Sequence, residues 1–309
     1  MQAREEQTRI GSRQPWLDAS HVTPENLTQW IAQPEKFLSL PLGSNGYVLP
    51  SANSLTIVDA QDAPSSRCKL VEKQSKRTNY VATCDTYAPS SPIRLSIYGD
   101  ARNNVVIFCA HCDVFGELKI YGSGNIVILG GGAVQSSFLT IWLKGDCNLL
   151  YWGDRSTSNG TTINLDGAHN SIIVGEDCMF AKATNLRNTD EHGIFDVASF
   201  EHLNPPRDVH LEPHVWIGPE ALIGKGATIG FGSIVASKSV ITHAIPRFSL
   251  GAGVPATVKR RGVSWDRPLQ PRPENMRKLR SWFEQFEADH RSSCGSELSE
   301  NSLGFVAER

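Results

Sequence analysis

Residues 211–245 read LEPHVWIGPEALIGKGATIGFGSIVASKSVITHAI, and the spacing within them decides the fold. An aliphatic residue recurs every six positions, at Leu211, Ile217, Ile223, Ile229, Val235 and Ile241. Four residues after each comes a second, mostly small one: Val215, Ala221, Ala227, Ser233, Ser239 and Ile245. Neither a helical period of 3.6 nor a strand period of 2 produces this register. Hexapeptide repeats are the mark of parallel β-helices, in which each repeat forms one short side of a coil. One aliphatic and one small residue per side then point into a narrow interior. The same beat appears at Val174, Phe180 and Leu186, with Cys178 and Thr184 in the small positions.

A looser repeat precedes it. Four segments, 95–107, 118–128, 139–151 and 163–174, each carry an apolar pair, a turn with Gly and Asn, and an apolar run. Their asparagines, Asn104, Asn125, Asn148 and Asn170, are spaced by 21, 23 and 22 residues. These are expected to be irregular coils of the same solenoid. Stacked coils need caps at both ends. Residues 1–90 are assigned to an N-terminal cap segment, with a helix near 24–33 in which Thr23 takes the N-cap and Pro24 the first position. Residues 91–262 form the expected β-helix domain. In the segment 263–291, residues 273–290 place Met276, Leu279, Trp282, Phe283 and Phe286 on one face of a helix. The Ser- and Glu-rich tail 292–309 is expected to be disordered.

Composition narrows the function. With 30 basic and 32 acidic residues, no global field favours nucleic acid or an anionic membrane surface. No window approaches the roughly 18 to 20 apolar residues of a membrane span, and the first residues do not read as a secretory signal. The seven cysteines lack the spacing of a disulfide scaffold. Cys109 and Cys112 form a C-x-x-C, but no second Cys/His pair follows at finger spacing, so they are read as reduced thiols of a cytoplasmic protein. The sequons at Asn26 and Asn159 are then idle.

Between Leu186 and Leu211 lie 25 positions, not a multiple of six. The segment 188–209 must therefore leave the coil as a loop, and long loops in compact domains are commonly functional or disordered, the plain alternative here being a solvated polar insertion. It carries Asp190, Glu191, His192, Asp196, Glu201 and His202. Trp216 follows the inward Val215, so alternation turns its indole outward. Such a ring needs a cover: the loop, another subunit or a ligand.

The loop histidine, the VWIG and hexapeptide stretch, and GVPATVKRR up to WDRP together resemble the left-handed β-helix O-acetyltransferases over about residues 172–266. That family includes galactoside, maltose and nodulation acetyltransferases and enzymes that O-acetylate capsular or lipopolysaccharide sugars. WDRP looks most like the polysaccharide-modifying branch. The resemblance implies a mainly β, left-handed parallel β-helix with a projecting active-site loop and a C-terminal helix. It also implies an acetyl-CoA-dependent transfer to a sugar hydroxyl by a homotrimer with active sites between subunits.

By position in the family motif, His192 is the general base, with Asp190 or Glu191 orienting its ring, and Trp216 walls the acceptor. A hydroxyl is a poor nucleophile at neutral pH, and an imidazole can take its proton. The same resemblance lines the CoA groove with Ser237, Thr242, Gly253, Pro255, Ala256, Lys259 and Arg260. Lys259, Arg260 and Arg261 are suited to pairing with nucleotide phosphates. His243 and Thr257 depart from the family, where basic residues are frequent. His202, His210 and His214 lack the pattern of a three-His zinc site, so no metal is expected. The glycines of GKGATIGFG mark hexapeptide turns rather than a dinucleotide loop. Two rivals remain: N-acyl transfer to an amino sugar or small amine, and a non-catalytic scaffold, which need keep neither His192 nor GVPA.

Overall fold

In the computed structural model every inward position of the beat is buried: the six aliphatics from Leu211 to Ile241 are 0% exposed, and the small partners from Val215 to Ile245 are no more than 2% exposed. The structure describes residues 45–293 apart from 52–53, 67, 72–78, 85–86, 88, 90 and 131–135, together with Gln29. The expected N-terminal helix, Gln29 excepted, and residues 294–309 of the tail lie outside the described residues; residues 292–293 close the C-terminal helix.

The chain winds as a parallel β-helix. Its first face is an eight-stranded sheet that runs from Leu55–Asp59 through Val105–Phe108 and Leu149–Trp152 to Val209–Leu211 and Thr228–Ile229. A thirteen-stranded sheet makes the rest of the wall. In the regular coils that wall is two faces. Met179–Phe180, Trp216–Ile217 and Ile234–Val235 form the second, and Thr184–Arg187, Leu222–Ile223 and Val240–Ile241 form the third. In the irregular coils a single long strand serves both. Thr157–Asp166 pairs its start with Met179–Phe180 and its end with Thr184–Arg187, with a bulge between Asn159 and Thr161. That long strand is why these coils need more residues than the hexapeptide ones.

The asparagine spacing has a direct physical cause. Asn104, Asn125, Asn148 and Asn170 are buried at one corner, where each side-chain Oδ1 of Asn104, Asn125 and Asn148 accepts the backbone N–H of the next asparagine at 2.9–3.0 Å. Their Nδ2 groups donate to turn carbonyls, Asn104 to Gly122, Asn125 to Gly145 and Asn148 to Gly167. Asn79 extends the ladder downward, and Asp208, which accepts from Ser171 N at 2.7 Å, closes it above. At another corner glycines stack so closely that a Cβ on Gly153 would lie 2.5 Å from the backbone of Gly175.

Two expectations need correction. Parallel stacking begins at Cys68, not at residue 91, because Cys68–Leu70 and Tyr80–Cys84 already pair with Ile93–Ile97 and Val105–Phe108. The ends are closed by antiparallel pairs: Leu55–Asp59 against Tyr80–Cys84, and Ser249–Gly253 against Ala256–Arg261. The C-terminal helix α1 (Pro273–Ser293) is therefore not an end cap. It lies on the outer surface of the first face, where Phe286 is fully buried with Phe231 and Tyr47. Arg247 fastens it, bonding both Glu212 oxygens at 2.6 and 2.8 Å and Glu287 at 3.1 Å. Trp282 Nε1 donates to Asn45 at 3.0 Å, so segments from both flanks share this face. Met276, expected on the apolar face, is 52% exposed.

Candidate active site

The loop that breaks the beat leaves the third face after Arg187 and rejoins the first face at Val209. Its base is rigid. Asn188 is fully buried, donating to Asp166 O and accepting from Asp166 N, both at 2.8 Å. Its tip is a small hairpin, with Phe195 bridged to His202 and Leu203 N donating to Ile194 O at 2.7 Å. Asp196 turns the hairpin by accepting from Ser199 N, Ser199 Oγ and Ala198 N, and these bonds hold its carboxyl below the usual range.

Asn204 is the hub that the sequence did not reveal. Its Nδ2 donates to Asp190 Oδ2 and to the carbonyl of His192, each at 2.9 Å. Its Oδ1 accepts from Ile194 N at 2.5 Å and faces His202 Nε2 at 3.1 Å. The backbone of His192 is thus clamped while its exposed ring, among the described residues, has no hydrogen-bond partner.

Asp190 does not touch the His192 ring. It pairs with Lys225 and accepts from Asn204, and the Lys225 bond is the main cause of its depressed carboxyl pKa. Its place is that of a loop anchor. Glu191 lies 3.5 Å from Arg187. Neither carboxylate orients the ring in this structure.

Trp216 does turn outward, half-buried, at the start of the second face. Its cover is Trp265, 6.2 Å away between ring centres. Trp265 stacks on His214 at 4.3 Å and 8°, donates from its indole to the His214 carbonyl at 2.9 Å, and accepts from His214 Nε2 at 3.1 Å. His214 Nδ1 donates to Asp177, which also holds Arg267 at 2.8 Å. WDRP is therefore a lock on the second face. The loop that carries His192 leaves the third face for the first, whereas Trp216 opens the second, so within one chain the two stand at different corners of the coil.

Burial alone would raise the Asp177 carboxyl, but bonds and charge from His214 and Arg267 outweigh it and hold it below the usual range. A depressed folded pKa gives stability that is complete above the unfolded value of about 3.9 and is lost as pH falls through the folded value. Acid unfolding below about pH 4 should therefore be shallower in Asp177→Asn. That variant should also lose about 2 kcal/mol at neutral pH, the scale of a charged hydrogen bond. Urea titrations at neutral and acid pH check both.

Of the residues expected at the CoA groove, Ser237, Thr242, Gly253, Pro255, Lys259 and Arg260 are exposed. Ser237, Gly253 and Pro255 gather near one corner, where Gly253 N donates to Ser239 Oγ at 3.2 Å, whereas Thr242 ends the third face. Ala256 is 0% exposed and packs into the core, paired with Gly253 across the terminal hairpin, so only its backbone is left to face a groove. Lys259, Arg260 and Arg261 are exposed on the outer strand of that hairpin and, among the described residues, form no ion pair. The donor set fits an anionic ligand.

His210 Nε2 lies 2.6 Å from the Tyr47 hydroxyl. Among the described residues, no group of three or more His, Cys, Asp and Glu is placed to hold a metal ion. Cys109 and Cys112 are buried free thiols, and burial pushes both pKa values up. No described helix is long and apolar enough to cross a membrane.

Fold and loop together define a parallel β-helix that presents a histidine on an inserted loop. No family model matches the chain. It is similar to a polysialic acid O-acetyltransferase of Neisseria meningitidis, 29% identical over 141 residues, 45% of this chain and 63% of that protein. It is also similar to a polysialic acid O-acetyltransferase of Escherichia coli O1:K1 / APEC, 34% identical over 113 residues, 37% of each chain. The alignments thus span less than two thirds of either relative. Among solved structures, the polySia-specific acetyltransferase NeuO matches with a TM-score of 0.56, covering 71% of this chain and 93% of that one. With a TM-score of 0.56 at 22% identity, the likeness is one of fold alone.

Proposed function

We propose that this chain is an acetyl-CoA-dependent O-acetyltransferase acting on a hydroxyl of a bacterial capsular polysaccharide, with polysialic acid the acceptor to which its relatives point. The observation that carries the reading is the His192 ring, presented unpartnered on a loop whose backbone Asn204 holds. His192 would take the proton of an acceptor hydroxyl as that oxygen attacks the thioester carbonyl, and would pass it from the imidazolium to the departing CoA thiolate. Bound acetyl-CoA would supply an acetyl group activated as a thioester. Lys259, Arg260 and Arg261 would hold its phosphates, and Gly253 and Pro255 would approach it at the hairpin turn. The test is release of free thiol from acetyl-CoA. It should rise with added polysialic acid and not with amino sugars; release with amines alone would transfer the reading to N-acylation.

A homotrimer suits the geometry. The loop tip exposes Ile194 and Phe195 at 55%, Val197 at 80%, Phe200 at 79% and Leu203 at 55%, a patch that calls for a partner surface. A neighbouring chain would also bring a Trp216 to a His192, which one chain does not do. Light scattering should give three times 33.9 kDa; a monomer at micromolar concentration contradicts this arrangement. The buried free thiols suit a reducing cytoplasm.

Two substitutions separate positioning from wall. Asn204→Ala frees the His192 backbone and should lower kcat, up to about 10²-fold for a displacement near 1 Å, with CoA affinity unchanged. Trp216→Ala should instead raise the KM for the polysaccharide more than it lowers kcat. Steady-state kinetics with each substrate varied distinguish the two.

A further inference from the structure

Among the described residues, neither α1 nor residues 45–51 cover the outer surface of the third face, since both pack on the first face. Along it the long strands align side chains coil upon coil, about 4.8 Å apart. One row runs Ser96, Lys119, Trp142, Asn164 and Arg187. Beside it Tyr98 and Tyr121 stack at 4.4 Å and 4°, and Trp142 continues the stack at 6.3 Å and 18°. Lys119 and Lys144 lie 4.6 and 5.7 Å from the centre of the Trp142 ring. The row ends at Arg187, the residue from which the His192 loop departs.

Rings stacked face on face in this way turn their edges outward. An aromatic edge carries the positive end of the ring quadrupole, and the tyrosines add hydroxyls. With Lys119, Lys144 and Arg187 the strip is a rigid surface with a positive bias. Three carboxylates share the strip: Glu117 lies between Arg94 and Lys119, Asp166 is the register partner of Lys144, and Glu191 lies 3.5 Å from Arg187, so four cations meet three anions. Tyr121 is 42% exposed, which a β-wall leaves uncovered only at a cost unless something binds there.

We infer that this face is a docking track for an extended anionic glycan, whose carboxylates meet Lys119, Lys144 and Arg187 while its free hydroxyls reach the His192 loop. The inference rests on the proposed transferase reading for its ligand class, but binding tests it without catalysis. The occupant is a carboxylate-bearing sugar polymer rather than a neutral one because the strip is cationic and continuous with the loop.

The experiment compares wild type with the double variant Lys119→Glu, Lys144→Glu, both remote from His192. Binding of long-chain polysialic acid is measured by calorimetry at low and high salt, with dextran as the neutral control. The expected result is about a tenfold loss of affinity in the variant, the scale of two exposed charge reversals, with the wild-type affinity falling as salt rises. Acetylation of a sialic acid dimer, too short to span the track, should be unchanged. Wild-type-like affinity in the variant overturns the track. So does equal affinity for dextran, or a change of oligomer mass in light scattering, which would make the face a contact between copies. If wild type binds the polymer and the variant does not, yet neither acetylates anything, the track stands and the transferase reading fails.

Discussion

His192→Ala is expected to lower kcat by about 10²- to 10⁴-fold, the usual contribution of a positioned general base. The loss should fall on turnover alone. The ring makes no contact that holds the loop, since Asn204 grips the His192 carbonyl and Lys225 grips Asp190. The variant should therefore melt like the wild type and bind acetyl-CoA as tightly. Asp190→Asn should act differently. It removes the Lys225 charge pair and loosens the loop, so its effect should be partly restored by substrate saturation, whereas that of His192→Ala should not. Near-normal turnover of His192→Ala with a sugar acceptor would show that the base lies elsewhere.

The largest effect on stability is expected at the asparagine ladder. Asn125 is fully buried, donates to Asn104 Oδ1 and Gly145 O at 3.0 Å, and accepts from Asn148 N. Asn125→Asp keeps the shape and the acceptor but turns a second oxygen toward two acceptors. A buried carboxylate without a counter-charge costs about 3–5 kcal/mol. Such a group gains protons on folding, so its folded pKa lies above the unfolded value of about 3.9. The penalty should then grow as pH rises above that value and shrink in acid, the reverse of the Asp177 behaviour. Asn125→Ala leaves Asn148 N and Gly145 O unpaired and should cost about 2–6 kcal/mol with no such pH dependence. Urea unfolding at acid and neutral pH separates the two variants. Equal stability of Asn125→Asp and wild type at neutral pH would mean that the ladder contributes little.

What was legible in the sequence follows from what repeats. A hexapeptide side has a strict interior, so Leu211 to Ile241 announced their burial, and the spacing of Asn104 to Asn170 announced successive coils, though not the corner at which these residues bond. Asn79 and Asp208 were missed. They sit where the coil length changes or where the chain returns from the loop, and no fixed spacing marks them. The amphipathic face of α1 was readable, but its docking surface was not, because aromatic residues on the first face, Tyr47, Phe231 and Phe248, interrupt no pattern of their own. The loop was legible as a break in register and His192 as a residue in it. Asn204 was invisible because a polar residue in a polar loop gives no signal until its four partners are placed around it. The motif aligned Ala256 with a groove, and no repeat announced that the antiparallel turn of the terminal hairpin carries its methyl into the core.

The most direct test of the account is mass spectrometry of polysialic acid after incubation with acetyl-CoA and either the wild-type chain or His192→Ala. The account predicts base-labile acetyl esters on the polysaccharide with wild type, and on the order of 10²-fold fewer, or less still, with the variant. Absence of acetyl esters with wild type, or equal acetylation by both proteins, would contradict it.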